Sequence, residues 1–108
     1  MANSFKNYFL KNATTTAANV YVAGAGVSAT VIGMSIGNTT SAPITANVTL
    51  TSSGTTYFML QGATIATGGA LVPIGGDQKL VMEAGDYLQV QTSASNSADV
   101  ILSVLEIT

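Results

Sequence analysis

Cysteine, histidine, arginine and tryptophan are all missing from this 108-residue chain. Without cysteine, neither a disulfide framework nor a thiolate metal site can form, and the redox compartment leaves no trace. Without histidine, nucleophile arrangements of the Ser-His-Asp or Cys-His kind are excluded. The same absence removes the histidine ligands that a cupin-type metal centre needs. Charge is also scarce: three lysines and five acids make 7% of the chain, against about 25% in an average soluble domain. Three lysines and a net charge of −2 provide no phosphate-binding footprint, so no nucleic-acid partner is expected. No charge falls between Lys11 and Asp77, and residues 17–37 are largely apolar, with a G-x-x-x-G spacing at Gly33 and Gly37. Asn19, Ser28, Thr30, Ser35 and several glycines interrupt that stretch, and Leu and Phe are absent from it. Two strands with a glycine turn are therefore expected there, and no membrane span. Lys6 and Lys11 are not followed by a compact apolar run with a cleavage site, so a secretory signal is not expected.

What is present is period-2 alternation. The stretch from Val72 to Gln91 concentrates Asp77, Lys79, Glu83 and Asp86 and reads as two short strands joined by a tight turn at residues 83–86. Gly85 there can take positive φ, and Asp86 can bond its own backbone nearby. Ile44, Ala46, Val48 and Leu50 alternate with Thr45, Asn47, Thr49 and Thr51, the pattern of a half-buried strand. Ser52-Ser53-Gly54 reads as a hairpin turn leading to a strand at 55–61, followed by a loop at 62–69 with room for a brief strand at 63–66. Ile32, Met34 and Ile36 are expected on one face of a strand over 27–36. Residues 99–108 read as a last strand, apolar on both faces, which suits a doubly covered or interfacial position. About eight strands at spacings of about 8–12 residues predict an all-β fold: a single antiparallel β-sandwich, most simply a jelly roll.

Few constellations could carry chemistry. Gly24-Ala25-Gly26-Val27-Ser28-Ala29 matches a dinucleotide fingerprint in letters, but β-branched residues follow it and the first acid after it is Asp77, so it reads as a turn. Carboxylate pairs of the glycosidase kind would have to come from Asp77, Glu83, Asp86, Asp99 and Glu106. Glu83 and Asp86 sit in a turn, where acids are ordinarily solvated. A calcium ion could draw on Asp77, Glu83 and Asp86 across adjacent turns. The formal glycosylation acceptors at Asn12, Asn38 and Asn47 follow from a composition rich in Asn and Thr. No catalytic residue, cofactor or metal site is assigned, and the chain is expected not to be an enzyme.

The N-terminal segment is singled out for a different role. Residues 1–12 are expected to be an arm or a first strand, and residues 13–108 the sandwich domain. Phe5, Lys6, Tyr8, Phe9, Leu10 and Lys11 are the candidate partner-contacting residues, because aromatics beside a few cations make good interface anchors. In an extended chain Phe5, Asn7 and Phe9 face one way, and Lys6, Tyr8 and Leu10 the other. A surface of Thr, Ser and Asn with few charges suits a subunit of an assembly.

Three stretches carry a resemblance: the start Met1-Ala2-Asn3-Ser4, the run from Lys79 to Val90, and the end from Asp99 to Ile107. Through them the chain resembles small β-sandwich structural proteins of tailed bacteriophages. The resemblance implies a virion component assembled in the cytoplasm of a bacterial host. Its expected partners are the major capsid protein or other virion proteins. The role it implies first is a capsid decoration (cement) protein binding the head as a small homo-oligomer, with a trimer suited to the threefold positions of a capsid lattice. A neck, tail or fibre adaptor is the alternative. From a different class, a carbohydrate-binding module would need an exposed aromatic, for which Tyr57 or Tyr87 is the candidate.

Overall fold

The computed structural model describes residues 3–75 and 79–108. Nine strands follow one another: β1 (Asn3–Ala13), β2 (Ala18–Val22), β3 (Ser28–Asn38), β4 (Ile44–Ser52), β5 (Thr55–Ile65), β6 (Ala70–Ile74), β7 (Leu80–Met82), β8 (Tyr87–Thr92) and β9 (Ala98–Ile107). They form two antiparallel sheets. One has the order β1-β9-β3-β6, with β7 also paired to β3; the other has the order β2-β8-β4-β5. Successive strands mostly switch sheets, and the two orders interleave as in a jelly roll. The β6–β7 pair continues along one edge of β3, so the expected eight strands become nine.

Alternation explains the core. Val31, Met34 and Ile36 of β3 and Val100, Leu102 and Val104 of β9 point inward from the first sheet. Ile44, Ala46 and Val48 of β4 and Leu88 and Val90 of β8 meet them from the second. The only hairpin within a sheet joins β4 to β5 among the described residues. Ser53 (φ 51°) and Gly54 (φ 80°) give two consecutive positive φ values, the type I′ turn that matches strand twist.

Four details differ from the sequence expectations. First, the brief strand expected within the loop at 62–69 is the end of β5, which runs unbroken to Ile65 because Gly62 takes φ 67° and absorbs the register shifts opposite Ala46 to Thr49. Second, Ile32 does not join Met34 and Ile36, since a register shift between Val31 and Gly33 turns it out of the core. Third, β9 is central in its sheet but covered on one face only: Ile101 stays 49% exposed. Fourth, the turn at residues 83–86 does not close a hairpin. β7 pairs with β3 and β8 with β2 and β4, so the turn is a corner between sheets. Asp86 is buried there rather than solvated, and its carboxylate accepts from the Glu83 N–H at 2.9 Å.

Asn38 ends β3 as a buried hub. Its Nδ2 donates to the carbonyls of Ala42 (2.8 Å) and Ile65 (3.1 Å), and its Oδ1 accepts from the Thr40 N–H at 2.8 Å. A residue that reads as turn polarity in sequence thus ties β3, the following loop and the end of β5 together, satisfying buried groups that would otherwise be costly.

Candidate interaction surface

β1 lies at the edge of its sheet, hydrogen-bonded to β9 alone. The pairing is regular from Asn3↔Ile107 to Leu10↔Val100, and shifts only between Leu10 and Ala13. The pleat sends Tyr8 and Leu10 toward the core and turns Phe5 and Phe9 outward, leaving them 76% and 66% exposed. Had these two rings been buried, the segment would be an ordinary core strand; instead β1 contributes little core and much surface.

The rings lie in cross-strand rows. Phe5 is opposite Leu105, which is opposite Thr30, which is opposite Val81. Phe9 is opposite Ile101, which is opposite Ser35. Val81 and Val72 are both 66% exposed. The outer face of this sheet is therefore an apolar surface whose middle is polar but uncharged, with Ser103 Oγ donating to Asn7 Oδ1 at 3.2 Å. Two shallow depressions border β1, one of about 250 Å³ beside Phe5, Asn7 and Ile32 and one of about 300 Å³ beside Phe9, Lys11 and Ile101.

The charges near β1 are neutralised inside the domain. Lys11 Nζ sits 2.9 Å from Asp99 Oδ2, and the Asn12 N–H donates to Asp99 Oδ1 at 3.1 Å. The backbone hydrogen bond and the lysine hold the Asp99 carboxyl below its usual range. On the inner side, Glu106 Oε2 accepts from Tyr21 (2.6 Å) and Tyr8 (2.9 Å), while Lys6 Nζ lies 3.1 Å from Oε1. The Tyr8 and Tyr21 rings are 4.6 Å apart, tilted at 49°. The Tyr21 hydrogen bond leads in holding the Glu106 carboxyl below its ordinary value. Burial, and then Glu106, push the Tyr21 hydroxyl upward. Because Tyr21 belongs to β2 of the other sheet, this cluster fastens edge strand β1 to the opposite layer.

Of the six residues singled out in the sequence, the structure places Phe5 and Phe9 on the outer face, Lys6 and Tyr8 in the Glu106 cluster, Leu10 against the core, and Lys11 in the Asp99 pair. It does not gather them into one contact patch. Ile101, on the strand expected to be apolar on both faces, lies on this face; Val72 and Val81 join it from β6 and β7, where single apolar residues in short strands look like core. In the sequence Glu106 reads only as a possible catalytic acid; its tyrosine partners are 85 and 98 residues away, and no local signal announces them. Tyr57 is 57% exposed, while Tyr87 is half-buried. Of the proposed calcium ligands, Asp77 lies outside the described residues, and no cluster of three metal-ligating side chains occurs among those described. The G-x-G-x-x-A stretch leads into strand β3, and no described helix is long and apolar enough to cross a membrane.

No family model matches the chain, and no curated protein does. Among solved structures, the chain is similar to one described in the words "Bacillus endospore appendages form a novel family of disulfide-linked pili". The TM-score is 0.59 and the identity 16%, over 98% of this chain and 88% of that one. At that identity the likeness establishes a shared all-β sandwich fold.

Proposed function

We propose that this protein is a non-enzymatic structural subunit of a virion, acting as a capsid decoration (cement) protein on a phage head. The observation that carries the reading is the uncovered apolar face around Phe5, Phe9, Val72, Val81 and Ile101. Large apolar side chains exposed together on one sheet face mark interaction sites rather than free solvent surface. The fold supports a structural role, since the pilus chain described above has the same sandwich. The disulfide linkage named for those pili has no counterpart here, because this chain has no cysteine. The virion itself comes from the resemblance of the Lys79–Val90 and Asp99–Ile107 stretches to phage sandwich proteins, and the apolar face would sit against the major capsid protein or another virion protein. Copy number per purified particle, by quantitative mass spectrometry, tests the reading. Hundreds of copies are expected; about a dozen would move the protein to the neck, tail or fibre, and absence from particles would end the proposal.

One observation favours a second reading. Tyr57 stands exposed on β5, as a sugar-stacking platform requires. Glycan-array binding lost on Tyr57→Ala would turn the assignment to a carbohydrate-binding module.

A further inference from the structure

Sheet edges left open are sites where another strand can add, and proteins ordinarily blunt them with bulges, prolines, short strands or inward charges. Three of the four edges here are blunted. β5 carries two register shifts and the positive-φ Gly62. β2 has five residues and a shift between Asn19 and Tyr21. The β6–β7 edge carries Pro73, a shift opposite Met34 and Ile36, and a three-residue strand. β1 has none of these from Asn3 to Leu10. Its inward charge, Lys6, is neutralised by Glu106 of its own domain, so it does not guard the edge.

We propose that β1 pairs antiparallel with β1 of a second copy, about a twofold axis through Asn7. This rests on the structural-subunit reading above and names the surface through which copies meet. The register follows from the pleat. Opposed residues must point to the same face, so an outward residue must meet an outward one, and the two residue numbers must sum to an even value. Centring on Lys6 opposes two lysines, which is destabilising. Centring on Tyr8 sets Phe5 against Lys11 and Phe9 against Asn7. Centring on Asn7 sets Phe5 against Phe9 of the second copy, twice, with Lys6 against Tyr8, twice, and Asn7 against itself. Aromatic pairs directly opposite one another stabilise a sheet, and this register also uses the whole strand from Asn3 to Lys11. It joins the apolar rows as well. Thr30, Leu105 and Phe5 of one copy run into Phe9, Ile101 and Ser35 of the other, making one continuous outer face. The strand is complementary to itself, which is what an isologous contact requires, and this is why a second copy rather than a foreign strand is the occupant. The axis is twofold, in place of the threefold that capsid geometry suggested.

Sedimentation equilibrium of the purified full chain and of two variants tests the proposal. Both substituted positions are exposed, and circular dichroism verifies that the fold is kept. The wild type is expected to form a concentration-dependent dimer. Phe5→Lys with Phe9→Lys places like charges opposite each other at both pairs and should weaken the dimer roughly ten-fold or more. Phe5→Lys with Phe9→Glu places opposite charges there and should dimerise within about three-fold of wild type. A wild type that is monomeric up to about 1 mM, or trimeric, overturns the proposal. So does equal weakening by the two variants, which would exclude this register. A chain that is abundant in particles yet monomeric in solution would leave the structural-subunit reading standing and remove only this contact.

Discussion

The two outer faces of the sandwich are built on the same pleat and place their apolar side chains differently. On the β2-β8-β4-β5 sheet the outward residues of β8 and β4 are largely amides and hydroxyls, several of them hydrogen-bonded, while Val22 of β2 and Tyr57 and Phe58 of β5 are exposed at its two edges. Gln89 Nε2 donates to Asn19 Oδ1 at 2.9 Å, Gln91 Nε2 to the Thr15 carbonyl at 2.6 Å, and the Gly62 N–H to Asn47 Oδ1 at 2.7 Å. On the β1-β9-β3-β6 sheet the outward positions hold Phe5, Phe9, Ile101 and Val81, which none of the described residues covers. A protein with only eight charged residues has little electrostatic means of keeping neighbours away. The middle of the first face is bridged by its own hydrogen bonds, whereas Phe5, Phe9, Ile101 and Val81 stay exposed on the second.

The sharpest way to break this comparison is to charge each face in turn. Ile101→Lys with Val81→Lys is expected to weaken attachment to particles on the order of a hundred-fold, as loss of an interface centre does. Thr45→Lys with Thr49→Lys, on the polar face, should leave it unchanged. Co-sedimentation of labelled protein with stripped particles reads both, and equal losses would erase the distinction between the faces.

Next in size is the anchoring of β1, on which the two phenylalanines ride. Glu106→Gln removes the charge from three interactions at once and should cost about 2 kcal/mol. For a domain of this size that lowers the melting temperature by roughly 8–16 °C. Gln89→Ala on the polar face should cost no more than about 0.5 kcal/mol. Thermal unfolding followed by circular dichroism separates the two.

The same cluster predicts a pH profile. Glu106 and Asp99 are held below their ordinary values of 4.5 and 3.8. Their stabilising contribution is present above those values and is lost as pH falls through the depressed ones. Tyr21 is shifted the other way, above its ordinary 10.0. Its contribution is full below pH 10.0 and declines as pH rises toward its folded value. Stability should therefore be flat across neutral pH and fall at both extremes. Glu106→Gln should flatten the acid limb, and Tyr21→Phe the alkaline one. An alkaline limb unchanged in Tyr21→Phe would place its origin elsewhere.

The smallest expected effect is that of salt. Because the charges beside the apolar face are paired internally, washing particles at about 1 M NaCl, where screening acts over about 3 Å, should not release the protein. Quantitative release would make the contact electrostatic and reverse the reading of the two faces.

Much of this molecule was legible in the chain. The alternation of Ile44 to Thr51 placed β4 and its faces, and Ser53-Gly54 placed the hairpin. These succeed because a strand's faces are set by a two-residue period and a turn by the φ its residues tolerate, both local properties. Bulges were not legible. The shifts that turn Ile32 out of the core and carry β5 past Gly62 depend on what the neighbouring strand offers. Nor could the sequence decide that the last strand keeps one apolar face uncovered, since Ile101 and Leu102 are equally apolar in letters, and only the position of the second sheet separates them. The Glu106 cluster lay furthest out of reach. Tyr8 and Tyr21 meet a carboxylate from the other end of the chain because β1 pairs with β9 and packs beside β2. In a jelly roll nearly every such neighbour is distant in sequence, so composition and period determine that strands form and which faces they have, while the tertiary fold alone decides which face is left open.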